Sequence, residues 1–187
     1  MPVHYTSYED VRGTVGGGYD WPNNGHTVLS TSFMGRILAK TGLAVDLPTE
    51  AQWEYACRAG TTGALNNGAA NVAGTGASVE DPNLKTLGWY DFNNSPVGTK
   101  EVGGKLPNAW GLHDMHGNVW EWCLDWYLTD ITSFTSDPLG PASGSFRVGR
   151  GGGWDYFAQF CRSAYRGHYA PSSMFSSLGF RFVLAGP

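Results

Sequence analysis

The sequence has no run of about 18 apolar residues, so it offers no candidate for a membrane-spanning helix. Nor does it have a basic run: Lys and Arg total 12 against 16 Asp and Glu, for a formal net charge of −4. Capture of nucleic acid or of an acidic membrane surface depends on clustered cations, and neither is expected. Cysteine is scarce. Cys57, Cys123 and Cys161 are an odd, widely spaced set that suits neither a disulfide framework nor a zinc site, so buried free thiols are expected. Met1 to Tyr5 lacks the basic and apolar regions of a secretory leader, which makes cytoplasmic residence the default expectation.

Aromatic residues and glycine are abundant, with 8 Trp, 9 Tyr, 9 Phe and 27 Gly in 187 residues. Glycine disfavours helix interiors, so this pairing points to tight turns and irregular loops pinned by large rings. Three helices are expected. Ser7 can cap a short one over residues 7–12. A second runs from Ser30 to Lys40, with Phe33, Ile37 and Leu38 on its apolar face and Gly42 ending it. The third lies within 47–60, where Thr49 and Gln52 form a capping box, Trp53, Ala56 and Cys57 share a face, and Gly60 suits the left-handed position past the end. Residues 13–26, 61–104 and 128–145 read as loops, the second so long that a metal or aromatic anchors should hold it. Short strands are expected near 87–90, 146–150 and 179–184. The tryptophans Trp53, Trp110, Trp120, Trp122, Trp126 and Trp154 read as core. Helices followed by late strands indicate one α+β domain over 1–187, with no repeat or linker.

Three segments carry a resemblance. They are LPTEAQWEYACRAG at 47–60, PNAWGLHDMHGNVWEWCLDWY at 107–127 and RGGGWDYFAQFCRSAYRGHYAPSSMFSSLGFR at 150–181. In order and spacing they resemble the sulfatase-modifying-factor family, which includes the formylglycine-generating enzymes. The resemblance implies a C-type lectin fold, rich in loops, with short strands and two or three helices. The family domain usually begins further upstream, so the resemblance implies a start partway into it.

Asp114 and Glu121 are hard oxygen donors flanking a glycine-containing turn, a set that suits calcium. The resemblance adds the carbonyls of Gly117 and Val119 and implies a structural calcium ion. His113 and His116 have no soft or nitrogen partners nearby and read as packing. Arg150, Arg162, Arg166 and Arg181 read as structural forks tying carbonyls and carboxylates together.

Formylglycine generation uses two copper-binding cysteines five residues apart in the last segment. Aligned without gaps, the second falls on Cys161 and the first on Tyr156. One thiolate cannot give a two-sulfur copper site, so neither copper nor oxidase activity is expected.

The segment 154–178 has a second texture. Among residues that read as framework stand Asp155, Tyr156, Phe157, Phe160, Tyr165, Gly167, His168, Tyr169, Ser173, Phe175, Ser176 and Ser177. These twelve are only Asp, Tyr, Phe, Gly, His and Ser, which the codons GAC, TAC, TTC, GGC, CAC and AGC encode. All derive from AAC by changes at its two adenines. The pattern resembles the variable proteins of diversity-generating retroelements, which mutate template adenines in this way. It implies a non-catalytic ligand-binding protein whose twelve variable residues meet a protein or other surface ligand. Tyrosine supplies contact area at low entropy cost, while serine and glycine supply adaptable fit. The alternatives are a formylglycine-generating oxidase acting on a sulfatase cysteine, or a constant accessory domain of the family.

Overall fold

A computed structural model describes residues 1–14, 27–73, 76–131 and 138–184. Most of the loop expected at 13–26 lies outside these residues, as does part of the one at 128–145.

Three helices arise where the capping residues place them. Helix α1 (Tyr8–Val11) has a full capping box between Ser7 and Asp10. Helix α2 (Phe33–Thr41) is capped by Ser32 and ended by Gly42 in the left-handed conformation. Its buried face agrees with the expected one in part. Ile37 packs against the main core, but Met34 and Gly35 are the buried residues, and Phe33 is 39% exposed and packs edge-on against Phe180. Strand β1 (Val45–Asp46) follows, then helix α3 (Glu50–Arg58) with its Thr49 and Gln52 box. Ala59, at φ 45°, is the left-handed C-cap, and Gly60 follows it with a positive φ of 93°, as expected past the end of the helix. Asn108 closes the far end of α3, donating to the carbonyls of Ala56 and Cys57.

The long segment after α3 holds helix α4 (Leu84–Leu87) and strand β2 (Gly88–Trp89), which pairs in parallel with β3 (His116–Gly117). Gly117 is required there: at φ 77° its backbone lies so close to β2 that a Cβ would sit 2.1 Å from the Trp89 carbonyl oxygen. Side-chain contacts hold much of this segment. The Asp81 carboxylate accepts from the amides of Ala73, Asn83 and Leu84, and Leu65, Leu84, Leu87 and Tyr90 form a small core of their own.

The main sheet contains β4 (Trp120–Trp126), β5 (Arg147–Arg150), β6 (Gly167–Tyr169) and β7 (Leu178–Gly179), in the order β6-β5-β4-β7. Strands β5 and β6 run antiparallel to their neighbours, and β7 runs parallel to β4. The strand expected over 179–184 is broken into β7 and β8 (Val183–Leu184); β8 pairs with β1 instead. Both faces of β4 are covered. Trp120, Trp122 and Leu124 enter the largest core with Tyr8, Met34 and Leu47. Cys123 enters a second core with Trp53 and Cys57 on α3. Its acidic residues face α3 as well: Asp125 accepts from the Glu50 amide at 2.6 Å, neutralising an orphan donor at the helix N-terminus.

His116 ties the two halves together. The Cys161 carbonyl can only accept, so Nδ1 donates to it at 2.7 Å; the Asn66 amide can only donate, so bare Nε2 accepts at 3.1 Å. Burial opposes charging the ring and lowers its pKa from 6.5 to about 4. The unfolded chain takes up this proton near 6.5 and the folded chain only near 4, so the stability His116 contributes is complete above 6.5 and lost as pH falls through 4. Wild type should therefore lose about 3 kcal/mol across that window that His116→Gln does not lose, as measured by urea unfolding at stepped pH. Parallel pH profiles for the two would show that the ring is not a neutral core group.

Candidate functional site

The segment that leaves β5 at Gly151 makes a 3-10 turn over Ala158–Cys161, returns as edge strand β6, and loops through 170–177 into β7. The twelve candidate residues therefore lie on edge strand β6 and on the loops that lead from β5 into it and from it into β7 at the opposite edge of the sheet.

Trp120 is the floor of this region. It is 2% exposed, and three candidate tyrosines surround it: Tyr156 at 5.2 Å between ring centroids, Tyr165 at 6.0 Å and Tyr169 at 5.9 Å. Contacts continue outward without a gap. Phe160 packs edge-on against Tyr156 and Tyr165, Phe157 lies 6.0 Å from Phe160, and Phe175 lies 5.8 Å from Tyr169. At the other margin His168 packs against Tyr127 and Phe146. Two cavities open on this face, of about 340 and 290 Å³, with Tyr156 and Tyr169 as shared walls.

The side chains are not equally free. Asp155, His168, Phe175 and Ser176 are exposed; Tyr156, Phe157, Phe160, Tyr165, Gly167, Tyr169 and Ser173 are half-buried. Ser177, expected on the surface, is buried, with its hydroxyl bonded to Asp155 at 3.2 Å. A Cβ at Gly167 would stand 2.9 Å from the Trp120 ring, so a larger residue there must displace a buried group. Of the intervening framework, Ala158, Cys161, Ser163 and Leu178 point inward as expected, while Arg162 and Ala164 are exposed. Sequence reasoning missed Trp120, Tyr5 and Tyr127 as parts of this face; all three lie outside 154–178, and no local pattern marks them.

Asp114 and Glu121 both line a cavity of about 400 Å³ with Gly103, Asn118, Val119 and Arg181. Glu121 is already engaged: Arg181 grips both its oxygens, at 2.5 and 2.7 Å, and the Trp53 indole donates to it at 2.6 Å. Asp114 accepts from the Gly103 amide through Oδ2, while its Oδ1 is buried without a partner. Gly117 is held by its amide, which donates to Gly151 at 2.7 Å.

The three cysteines are buried free thiols. Burial raises the pKa of Cys57 to about 12 and pushes that of Cys161 up as well. Five of the six tryptophans expected in the core are buried or half-buried; Trp110 is the exception, 48% exposed and paired with exposed Tyr55. No helix among the described residues is long and apolar enough to cross a membrane.

Short strands, few helices and long anchored loops define a mixed α+β, C-type lectin-like fold of the formylglycine-generating-enzyme type. Residues 5–185 match the sulfatase-modifying factor enzyme 1-like domain, and the chain belongs to that family. It is 34% identical over 164 residues to the formylglycine-generating enzyme of Mus musculus, covering 83% of this chain and 43% of the enzyme. To that of Thermomonospora curvata it is 33% identical over 171 residues, covering 87% and 56%. The chain thus spans about half the length of the curated relatives it matches. Among solved structures, variable protein 1 of Treponema denticola is 42% identical with a TM-score of 0.64, over 75% of this chain and 47% of that one. PvdO from Pseudomonas aeruginosa gives a TM-score of 0.75 at 26% identity, over 98% of this chain and 62% of that one.

Proposed function

We propose that this chain is a non-catalytic binding protein that displays a diversified surface on a sulfatase-modifying-factor scaffold. One observation carries the reading: all of the twelve positions except buried Ser177 are at least partly accessible, and their rings form a continuous aromatic face around Trp120. Such a face suits a protein ligand, because rings already braced by neighbours lose little freedom on binding. Likeness to a variable protein supports the same reading. Against an oxidase stands the chemistry of the last segment. Tyr156 occupies the place of one thiolate, and Cys161 is wholly buried with its thiol held in the protonated form by desolvation. Copper loading followed by metal analysis should give no stoichiometric sulfur-bound copper.

The scaffold claim can be tested without knowing the ligand. A library in which the twelve positions sample Asp, Tyr, Phe, Gly, His, Ser and Asn should yield mostly folded members with cooperative melting. Gly167 should be the least tolerant position, for the steric reason given. A library that mostly fails to fold contradicts the proposal.

Calcium is the second part of the reading. The orphaned Asp114 Oδ1, in a cavity that Glu121 also lines, supports it; the carbonyls of Gly117 and Val119 would have to supply the rest of the oxygen set. The ion would supply charge neutralisation and cross-link β3 to β4, and Arg181 competes with it for Glu121. Only the folded chain assembles these ligands, so saturating calcium at about 100 times its Kd should add about 2.7 kcal/mol of stability, reversed by chelation. An unchanged melting temperature with calcium and with chelator removes the ion from the account.

A further inference from the structure

A third cavity adjoins the aromatic face. It measures about 440 Å³ and is bordered by Arg58, Thr62, Gly63, Ala64, Arg162 and Tyr165, with Arg166 shared between it and the aromatic cavity. Its arginines are not all spent on structure. Arg166 forks onto Glu50 at 2.5 and 2.7 Å, and Arg58 pairs with Glu54 at 2.7 Å. Arg150, fully buried behind them, draws on the same two carboxylates. Three guanidinium groups therefore share two glutamates. Arg162 adds a fourth charge. It is exposed, its Nε donates to the Gln159 carbonyl at 2.8 Å, and its terminal nitrogens make no hydrogen bond among the described residues. The pocket thus carries surplus positive charge in a chain whose net charge is −4.

We propose that this pocket binds an acidic side chain of the protein ligand, as a fixed anchor beside the variable aromatic face. The ligand's identity rests on the binding-protein reading; the pocket's own affinity for a carboxylate does not. A guanidinium edge presents paired donors that match a planar carboxylate; Thr62 belongs to the constant wall, and Tyr165, one of the twelve, borders it on the variable side. The overall negative charge repels extended polyanions at long range, which favours a single acid on an otherwise neutral surface. Arg58, Arg162 and Arg166 lie outside the twelve diversified positions. The anchor would stay constant while its surroundings change, and would bias every variant toward ligands with a carboxylate at one place.

The probe is a short capped peptide containing one glutamate, titrated into the intact chain while arginine side-chain NMR signals are followed. Inorganic phosphate serves as a second titrant. The peptide should shift the Arg58 and Arg162 signals saturably, and added salt should weaken the effect. Arg162→Gln should bind it about tenfold more weakly at unchanged melting temperature, the loss expected for one charge-assisted hydrogen bond. No saturable shift, or equal affinity for Arg162→Gln, overturns the proposal. Binding of phosphate without the peptide overturns the carboxylate assignment. A variant with Phe157, His168 and Phe175 all changed to Ser should retain peptide binding; its loss would place the peptide on the aromatic face instead. Collapse of the twelve-position library with peptide binding intact would remove the diversified-face reading and leave the pocket standing.

Discussion

Trp120→Ala should cost about 3–5 kcal/mol of folding stability, measured by urea unfolding, which is a large share of the roughly 5–15 kcal/mol available to a domain. The ring is 2% exposed. It belongs to the largest core, with Tyr8, Met34, Leu47 and Leu178, and Tyr156, Tyr165 and Tyr169 pack against it. Truncation leaves a cavity that the sheet cannot close, because Gly149 and Gly167 beside it have no side chains to move in. Its indole nitrogen is buried without a hydrogen-bond partner, so Trp120→Phe loses volume but no bond and should cost much less. The same substitution should weaken ligand binding, since the tyrosines lose the surface that orients them. A loss below about 1 kcal/mol for Trp120→Ala would show that the ring is not core.

The second large effect is on binding. Phe157, His168 and Phe175 form the outer margin of the aromatic face, and His168 and Phe175 are exposed. Changing all three to Ser should shift stability by no more than about 0.5 kcal/mol per site. Binding of any ligand captured by the wild-type face should fall about 30-fold or more for each ring that acts as an anchor. Tyr156, Phe160, Tyr165 and Tyr169 should behave differently. They pack against the main core, so serine there costs stability as well as affinity. A triple variant that keeps full affinity would move the binding site off this face.

Sequence alone revealed the parts of the fold that depend on local chemistry. The N-cap at Ser7 and the capping box at Thr49 placed two helices, because a cap is a short-range bond between residues two or three apart. Strand β4 was not legible. Its acidic residues, which ordinarily signal a solvent face, are turned toward α3, where Asp125 meets the Glu50 amide and Glu121 meets Trp53 and Arg181. Phe33 and Trp110 misled for the converse reason: each is a large apolar residue at a helical or aromatic-rich position, yet each finds its partner at the surface, in Phe180 and Tyr55. The candidate site divided in the same way. Its twelve members were readable from residue type and codon logic, but the floor that joins them was not, because Trp120 lies more than thirty residues upstream and meets them only through the pairing of β4, β5 and β6. The surplus charge at Arg162 was hidden too, since sequence cannot show which arginines have carboxylates within reach.

The most direct test of the central claim is the nucleotide sequence around the coding segment for residues 150–184. Diversification of this face by template mutagenesis requires a near-copy of that segment, differing only where the copy has adenine, next to a reverse transcriptase gene. The copy should read AAC at most of the twelve positions from Asp155 to Ser177, and it should match the coding segment at Ala158, Cys161, Arg162 and Arg166. A locus without such a copy, or one whose differences fall at the framework codons instead, would contradict the account and leave a constant domain of the family.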